Sequence, residues 1–313
     1  MREEPEVVST AGSSTPPEPG DAVTVFTPLR GALFGVAYRI IGNAAEAQDV
    51  VQETWLRWQL CDRRVVREPA AFLMTTATRI AINVLQSARV RRETYVGPWL
   101  PSPVDTASDP MLGAERTEAL HLATLLLMER LTPTERAAYV LREAFDYPYA
   151  RIASIVDTSE VAARQLVSRA RRHLTTATAR QASREHHQRF FSAFLDAARR
   201  GDAKKLEALL SADAINYTDG GGVVEHTARR EILGRDNLVR FLCGFAEKFR
   251  FWDELDVRMV QANGRDSALL LRSGHAYALL SVEVGDDAID EVLWVMSPEK
   301  LAMIAHQQHV TVG

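Results

Sequence analysis

Cysteine is nearly absent. The only two in 313 residues, Cys61 and Cys243, stand far apart, which excludes a disulfide framework and a cysteine-ligated metal site and points to a reducing compartment. No apolar run approaches the ~18 residues of a membrane span. The N-terminus carries acids and prolines where a secretion signal would need an apolar stretch. The expectation is therefore a cytoplasmic protein without a membrane partner. Charge of one sign does not dominate either: the formal net charge is −4, with 25% charged and 46% hydrophobic residues. That balance is ordinary for a globular chain, of about two domains at this length. Glycine-rich phosphate loops, metal-ligand clusters and nucleophile motifs are missing, so neither a cofactor nor a metal is expected.

One absence is local. Between Val161 and Arg184 there are six arginines and no acid. Such a cationic stretch on a nearly balanced chain is the electrostatic footprint of a nucleic-acid contact, although arginine-rich helices are also common as solvated faces. The pattern around it is more specific. A short amphipathic helix from Ala150 leads to a turn at Asp157 and Thr158, and Ser159 can cap a second helix. On that helix Arg164, Gln165, Ser168, Arg169 and Arg172 recur on the polar side, with Val161, Leu166, Ala170 and Leu174 as expected apolar contacts. A helix-turn-helix lays its second helix in the major groove, where Arg, Gln and Ser can read base edges.

Upstream, Asn43 can cap a helix running to about Leu60. Glu46, Asp49 and Glu53 lie along one of its faces, and Val50, Val51, Trp55 and Trp58 form its apolar side. The acidic face is either solvated or a dock for a basic partner. Pro69 opens a third helix, to about Arg92, with Leu73, Ala77, Ile80 and Val84 as a stripe. Thr75, Arg79, Asn83 and Gln86 occupy another face, followed by Arg89, Arg91 and Arg92. Base-bonding side chains beside phosphate-binding cations suit single-stranded or melted DNA.

The remaining organisation follows from punctuation. Residues 1–20, rich in Glu, Pro, Ser and Gly, read as a disordered tail, and 21–92 as a helical module. Residues 93–112 carry five Pro or Gly breaks and read as a linker, on which Trp99 and Leu100 are expected to dock against a domain. Helices resume near Leu112 in a second module, 113–180, with a capping box at Thr132-Pro133-Thr134-Glu135. From 184 to 313 an amphipathic helix bearing Phe190, Phe191 and Phe194 precedes strand-like runs that read as antiparallel, the mark of a separate α+β domain.

The segment Ala47-Gln48-Asp49-Val50-Val51-Gln52-Glu53-Thr54-Trp55-Leu56-Arg57, the stretch Arg79–Leu85 with its following arginines, and Leu131–Leu174 resemble, in order and spacing, regions 2 and 4 of bacterial RNA polymerase sigma factors of the extracytoplasmic-function (ECF) class. The resemblance spans about residues 24–176 and implies two partners, core RNA polymerase and promoter DNA. It implies docking on the polymerase by Glu46, Asp49, Gln52 and Glu53. Arg79 and Asn83 would meet the −10 element, and Arg164, Gln165, Ser168 and Arg169 the −35 element. Arg171 and Arg172 would bind phosphate. Many relatives carry Asp where this chain has Asn83.

A minimal ECF factor would end near residue 180. The extra ~130 residues resemble SnoaL-like members of the NTF2-like superfamily, α+β cones around a pocket, found fused to one group of ECF factors. Trp99-Leu100-Pro101-Ser102-Pro103 resembles that group's Trp-Leu-Pro-Glu-Pro motif. Asp219-Gly220-Gly221-Gly222 resembles its Asp-Gly-Gly-Gly-Lys motif with Val223 for Lys, and Ser297-Pro298-Glu299-Lys300-Leu301 its Asn-Pro-Asp-Lys-Leu motif. These segments are expected to form an interdomain regulatory surface, and the pocket implies a small-molecule ligand. Asp219, Asp253, His226 and His275 form no catalytic spacing, so an enzyme is not expected. The alternative is a one-component helix-turn-helix regulator with a ligand-sensing NTF2-like domain, which would have no use for the acidic face of the upstream helix.

Overall fold

A computed structural model describes residues 19–92, 94–107, 120–178, 182–225, 227–248 and 251–313. The upstream bundle comprises α1 (Pro19–Phe26), α2 (Arg30–Ile41), α3 (Ala44–Leu60) and α4 (Pro69–Arg92). A 3-10 turn at Thr27–Leu29 separates α1 from α2, because Pro28 cannot donate within a helix interior. Gly42 ends α2 in the left-handed conformation, and the Asn43 side chain accepts the Ala45 and Glu46 N–H groups to start α3.

The downstream bundle comprises α5 (Leu122–Leu127), α6 (Pro133–Glu143), α7 (Tyr149–Ile155) and α8 (Glu160–Thr178). The capping box forms in full: Glu135 N–H donates to the Thr132 hydroxyl while the Glu135 carboxylate accepts the Thr132 N–H. The expected helix start near Leu112 lies outside the described residues. One apolar contact is corrected. Val161 sits in the first turn of α8 and is exposed, whereas Ala163, Val167, Ala170 and Leu174 are the buried positions. A first-turn residue at a solvent-facing helix start has no neighbouring element to cover it.

The two bundles are not separate bodies on a string. Leu33, Ile41, Leu73 and Leu85 belong to the same continuous apolar core as Leu125, Leu141, Ile155 and Leu174.

The C-terminal domain comprises α9 (Arg184–Arg200), α10 (Ala203–Leu209), β1 (Leu210–Asp219), β2 (Ile232–Leu233), α11 (Arg235–Lys248), β3 (Leu255–Ala262), β4 (Arg265–Arg272), β5 (His275–Val284), β6 (Ile289–Val295) and α12 (Pro298–Gln307). The strands form one sheet in the order β2-β1-β6-β5-β4-β3. It is mixed rather than antiparallel throughout, since β1 pairs in parallel with β6. Strand periodicity reports which face is buried but not the direction of the partner. The inner face (Ala278, Leu280, Val282, Val292, Trp294) packs on Phe191, Phe194 and Leu242 of the helices, closing an α+β cone. The outer face (Leu269, Leu279, Leu293, Val295) instead covers Leu100, Leu122, Ala123 and Leu301, so the sheet is buried on both sides.

Between them runs the chain from Thr94 to Ala107, almost devoid of regular structure yet fully engaged. Leu100 N–H donates to Asp219, Ser102 to the Gly42 carbonyl, Val104 to the Asn263 side chain, Asp105 to the Gln307 side chain, Thr106 to the Gln261 carbonyl and Ala107 to the Asp105 carboxylate. Pro101 and Pro103 have no N–H to satisfy. Every backbone donor from Leu100 to Ala107 is thus accounted for, which explains how a strandless segment tolerates burial.

Candidate nucleic-acid interface

The turn before α8 is made by Asp157, whose φ of 55° is left-handed, and the Thr158 N–H returns to the Ala153 carbonyl. The Ser159 hydroxyl accepts the Ala162 N–H and fixes the start of α8. Arg164, Gln165, Ser168 and Arg172 project from the exposed side of that helix. Arg164 pairs with Glu160 at 3.2 Å in a solvated i,i+4 contact, which leaves it available. Arg169 is half-exposed and held by Glu135 at 2.8 Å. Burial raises the pKa of the Glu135 carboxyl, but the bonds from Arg169 and Thr132 outweigh that and hold it below the usual range.

Arg79, Asn83 and Gln86 on the polar face of α4 are exposed, and Arg79 also reaches the helix-turn-helix. Arg79 donates from Nε to the Ile155 carbonyl and from Nη2 to the Ser154 carbonyl, both at 2.9 Å, satisfying carbonyls at the C-terminal end of α7. Asn83 and Gln86 line the adjoining cleft of about 500 Å³ with Thr134, Val156 and Asp157. Farther along α4, Arg89 donates to the Glu129 carbonyl at 3.1 Å. Arg92 is bound by the Glu129 carboxylate and stacks at 3.6 Å on the Trp99 ring. Glu129 also binds Arg136, which is fully buried. Arg89 and Arg92, expected on an open phosphate-binding surface, are therefore both turned towards Glu129 of the downstream bundle, Arg89 to its carbonyl and Arg92 to its carboxylate. Arg91 lies on the same helix.

On α3 the exposed stripe is Gln48, Asp49 and Gln52, with Glu46 and Glu53 half-buried. Glu53 is paired with Arg57 at 2.8 Å. A groove of about 760 Å³, lined by Phe26, Phe34, Gln52, Trp55 and Met303 among others, separates this stripe from α12. The Gln48 amide reaches the Met303 sulfur across it at 3.7 Å.

The three motifs of the expected regulatory surface converge on Asp219, which has no solvent exposure. One of its oxygens accepts the Tyr95 hydroxyl (2.5 Å) and the Gly221 N–H (3.0 Å). The other accepts the Leu100 N–H (2.7 Å) and the Lys300 ammonium (2.5 Å). Lys300 also donates to the Leu100 carbonyl and lies 4.3 Å from the Trp99 ring. Burial lowers Lys300 to about 8, against the opposing pull of Asp219. Gly221 and Gly222 adopt φ of 65° and 74°, and a side chain on Gly221 would meet Ser297 at 2.9 Å. Val223, at the lysine position of the motif it resembles, is exposed and takes no part. Pro101 is buried against the same surface, Pro298 begins α12, and Leu301 enters the outer-face core.

Of the residues weighed for catalysis, Asp219 is consumed by this node, His275 and Asp253 are on the surface, and His226 lies outside the described residues. No group of metal-ligating side chains occurs among the described residues, and none of their helices is long and apolar enough to cross a membrane.

Several residues that organise the site carry no advance signal. The Tyr38 hydroxyl donates to the Ser102 carbonyl and accepts from Asn263 Nδ2, which also donates to the Leu120 carbonyl. Two residues thereby join the upstream bundle, the linker, the downstream bundle and the C-terminal domain. A side chain on Gly42 would come within 2.9 Å of Trp99. Only the Asn263-Gly264 dipeptide, a hairpin signature, could have been read beforehand, and then only as a turn.

Comparison with known proteins matches "Sigma-70 region 2" over residues 25–91 and "Sigma-70, region 4" over 121–174. The chain is 39% identical over 232 residues to the ECF RNA polymerase sigma factor SigJ of Mycobacterium tuberculosis, covering 72% of this chain and 74% of that protein. It is 30% identical over 194 residues to the probable ECF RNA polymerase sigma factor SigI of the same organism, covering 61% and 67%. The crystal structure of M. tuberculosis SigJ superposes with a TM-score of 0.72 at 32% identity, over 89% of this chain and 97% of that one. The upstream bundle is region 2 and the downstream bundle region 4, and a region 2 has no place in the one-component regulator considered above. The chain is a member of the ECF family of RNA polymerase sigma factors.

Proposed function

We propose that this sigma factor is held closed by its own C-terminal domain and directs initiation only after opening. In the open form the α3 stripe of Glu46, Asp49, Gln52 and Glu53 docks on core polymerase. Arg79 and Asn83, backed by Arg89, Arg91 and Arg92, engage the −10 element. Arg164, Gln165, Ser168 and Arg169 read the −35 element, with Arg172 on phosphate. The observation that carries this reading is the engagement of Arg79 with the end of α7. The side chain expected to meet one promoter element is bonded to the module that reads the other, so both cannot be read at once. Trp99, Leu100, Pro101, the Asp219–Gly222 turn, Pro298, Lys300 and Leu301 form the clasp that keeps it so.

The test is transcription by core polymerase from the chain's own upstream region. The full chain is compared with Lys300→Met, which breaks the clasp outside every promoter-facing surface. More product from a discrete start with the variant supports closure as the control. Equal or lower product, with core binding intact, refutes it.

A further inference from the structure

Two carboxylates lie on the outer face of the sheet, where it meets region 4. Glu283 on β5 and Glu291 on β6 are directly opposite each other in the antiparallel register. Like charges in that position repel, since facing side chains start about 5 Å apart. Both point to the face that also carries Leu279, Leu293 and Tyr217, following the two-residue period of each strand. Leu122 and Ala123, the first residues of α5 in region 4, lie on that face. The Ala123 N–H donates to Glu283, so α5, whose own cap residue His121 contributes no side-chain bond, takes its acceptor from another domain. One carboxylate oxygen of each glutamate is removed from water without any hydrogen-bond partner, and neither residue has an ion pair among the described residues.

We propose that this pair acts as a spring: docking of region 4 buries two facing carboxylates, and their mutual cost opposes closure and keeps the closed form reversible. The proposal rests on the closed-and-open reading above. An exposed sheet face would let both glutamates ionise in water, whereas the docked face must either confine two negative charges or take up a proton.

The surroundings do not relieve that cost. Arg265 of β4 is the cation nearest Glu283 in effect, and Arg130 of region 4 attracts Glu291, yet Glu231 and Asp290 repel Glu291. Burial dominates in both and raises each to about 7. His121, on the region 4 side near Arg265 and His187, is pushed by burial down to about 3, so it docks neutral. His187 is likewise lowered by burial, with its ring bonded to the Val282 carbonyl. Tyr217 is raised to about 12 by burial and then by Glu291 and Glu231.

The test is hydrogen exchange at pH 7.5 in the peptide spanning residues 121–131, on the full chain and on Glu291→Gln. Glutamine keeps the shape and removes the charge. The expected result is slower exchange in the variant by about tenfold or more, because burying the ionised pair costs at least one pKa unit's worth of stability. Apparent affinity for core polymerase should fall with the same ordering. Unchanged or faster exchange in the variant, with the segment protected in the wild type, overturns the spring and leaves the closed form standing. A segment unprotected in the wild type overturns both. A Glu283→Gln/Glu291→Gln chain, expected to exchange no faster than Glu291→Gln, separates charge from any loss of the Ala123 bond.

Discussion

Lys300→Met should open the clasp, and the structure sets the size of the effect. The ammonium is almost wholly buried, pairs with Asp219 at 2.5 Å and also donates to the Leu100 carbonyl. Removing one partner of a buried pair typically costs 3–5 kcal/mol, because the remaining charge is left uncompensated. Asp219 would keep three donors, Tyr95, Leu100 and Gly221. That places the loss near the lower end, ~3 kcal/mol, or about a hundredfold in the opening constant. Lys300 is charged at pH 7, below its value of about 8, so the experiment at that pH probes the ion pair. The assay is hydrogen exchange of residues 100–106, whose backbone N–H groups are all bonded outside the segment, with α9 as the control for an intact cone. Asp219→Asn should give a smaller loss, since Lys300 can shed its proton. The double variant should recover ~2 kcal/mol of the summed single losses, the coupling expected of a direct contact. Strict additivity would mean that the two residues act independently and that the clasp is packing alone.

Other consequences can be checked in the same way. Gly42→Ala places a side chain at φ 78° and against Trp99, and should destabilise the fold by at least the ~1 kcal/mol of a left-handed alanine, a drop in melting temperature that calorimetry would detect. Glu129→Ala leaves Arg92 and Arg136 buried without their anion and should cost ~3–5 kcal/mol in urea unfolding, whereas an unchanged midpoint would show that the arginines find other acceptors. Arg79→Ala should raise apparent affinity for core polymerase while lowering promoter-specific product, and a rise in both would remove Arg79 from promoter contact. Glutamates raised to about 7 favour docking as pH falls below 7, whereas His121, lowered to about 3, opposes it as pH falls below its ordinary ~6.5. His121→Phe should therefore unmask docking that tightens as pH falls from 7 toward 5, read by exchange of residues 121–131 after correction for intrinsic rates. A flat profile in that variant would contradict the assignment.

What was legible in the sequence is what is locally encoded. Asn43, Thr132 and Ser159 announce helix starts because a cap acts within three residues, and the strands show because alternation reports a buried face. The three short motifs pointed to a common surface through a resemblance, and in the structure they meet on Asp219. The inward turn of Arg89 and Arg92 was not legible. An arginine on a helix face looks the same whether it awaits phosphate or already holds Glu129, and that carboxylate lies 37 residues from Arg92. The parallel pairing of β1 with β6 and the roles of Tyr38 and Asn263 were hidden for the same reason: they depend on partners brought together only by the finished fold. Val161 failed differently, since helical period assigns a face but cannot say where a neighbouring element stops.

The fully bonded stretch from Leu100 to Ala107 has one more implication. Five of its six donors go to five places outside it, Asp219, Gly42, Asn263, Gln307 and Gln261, and the sixth returns to Asp105. A segment with no structure of its own has no local energy to fall back on, so losing one attachment weakens the rest. The strip therefore works like a zip fastener rather than a hinge, and a disturbance arriving at any of its teeth is felt along its whole length. An input at the far end of the cone and an input at the upstream helices would then produce the same output, which gives a single polypeptide the logic of a receptor and its switch.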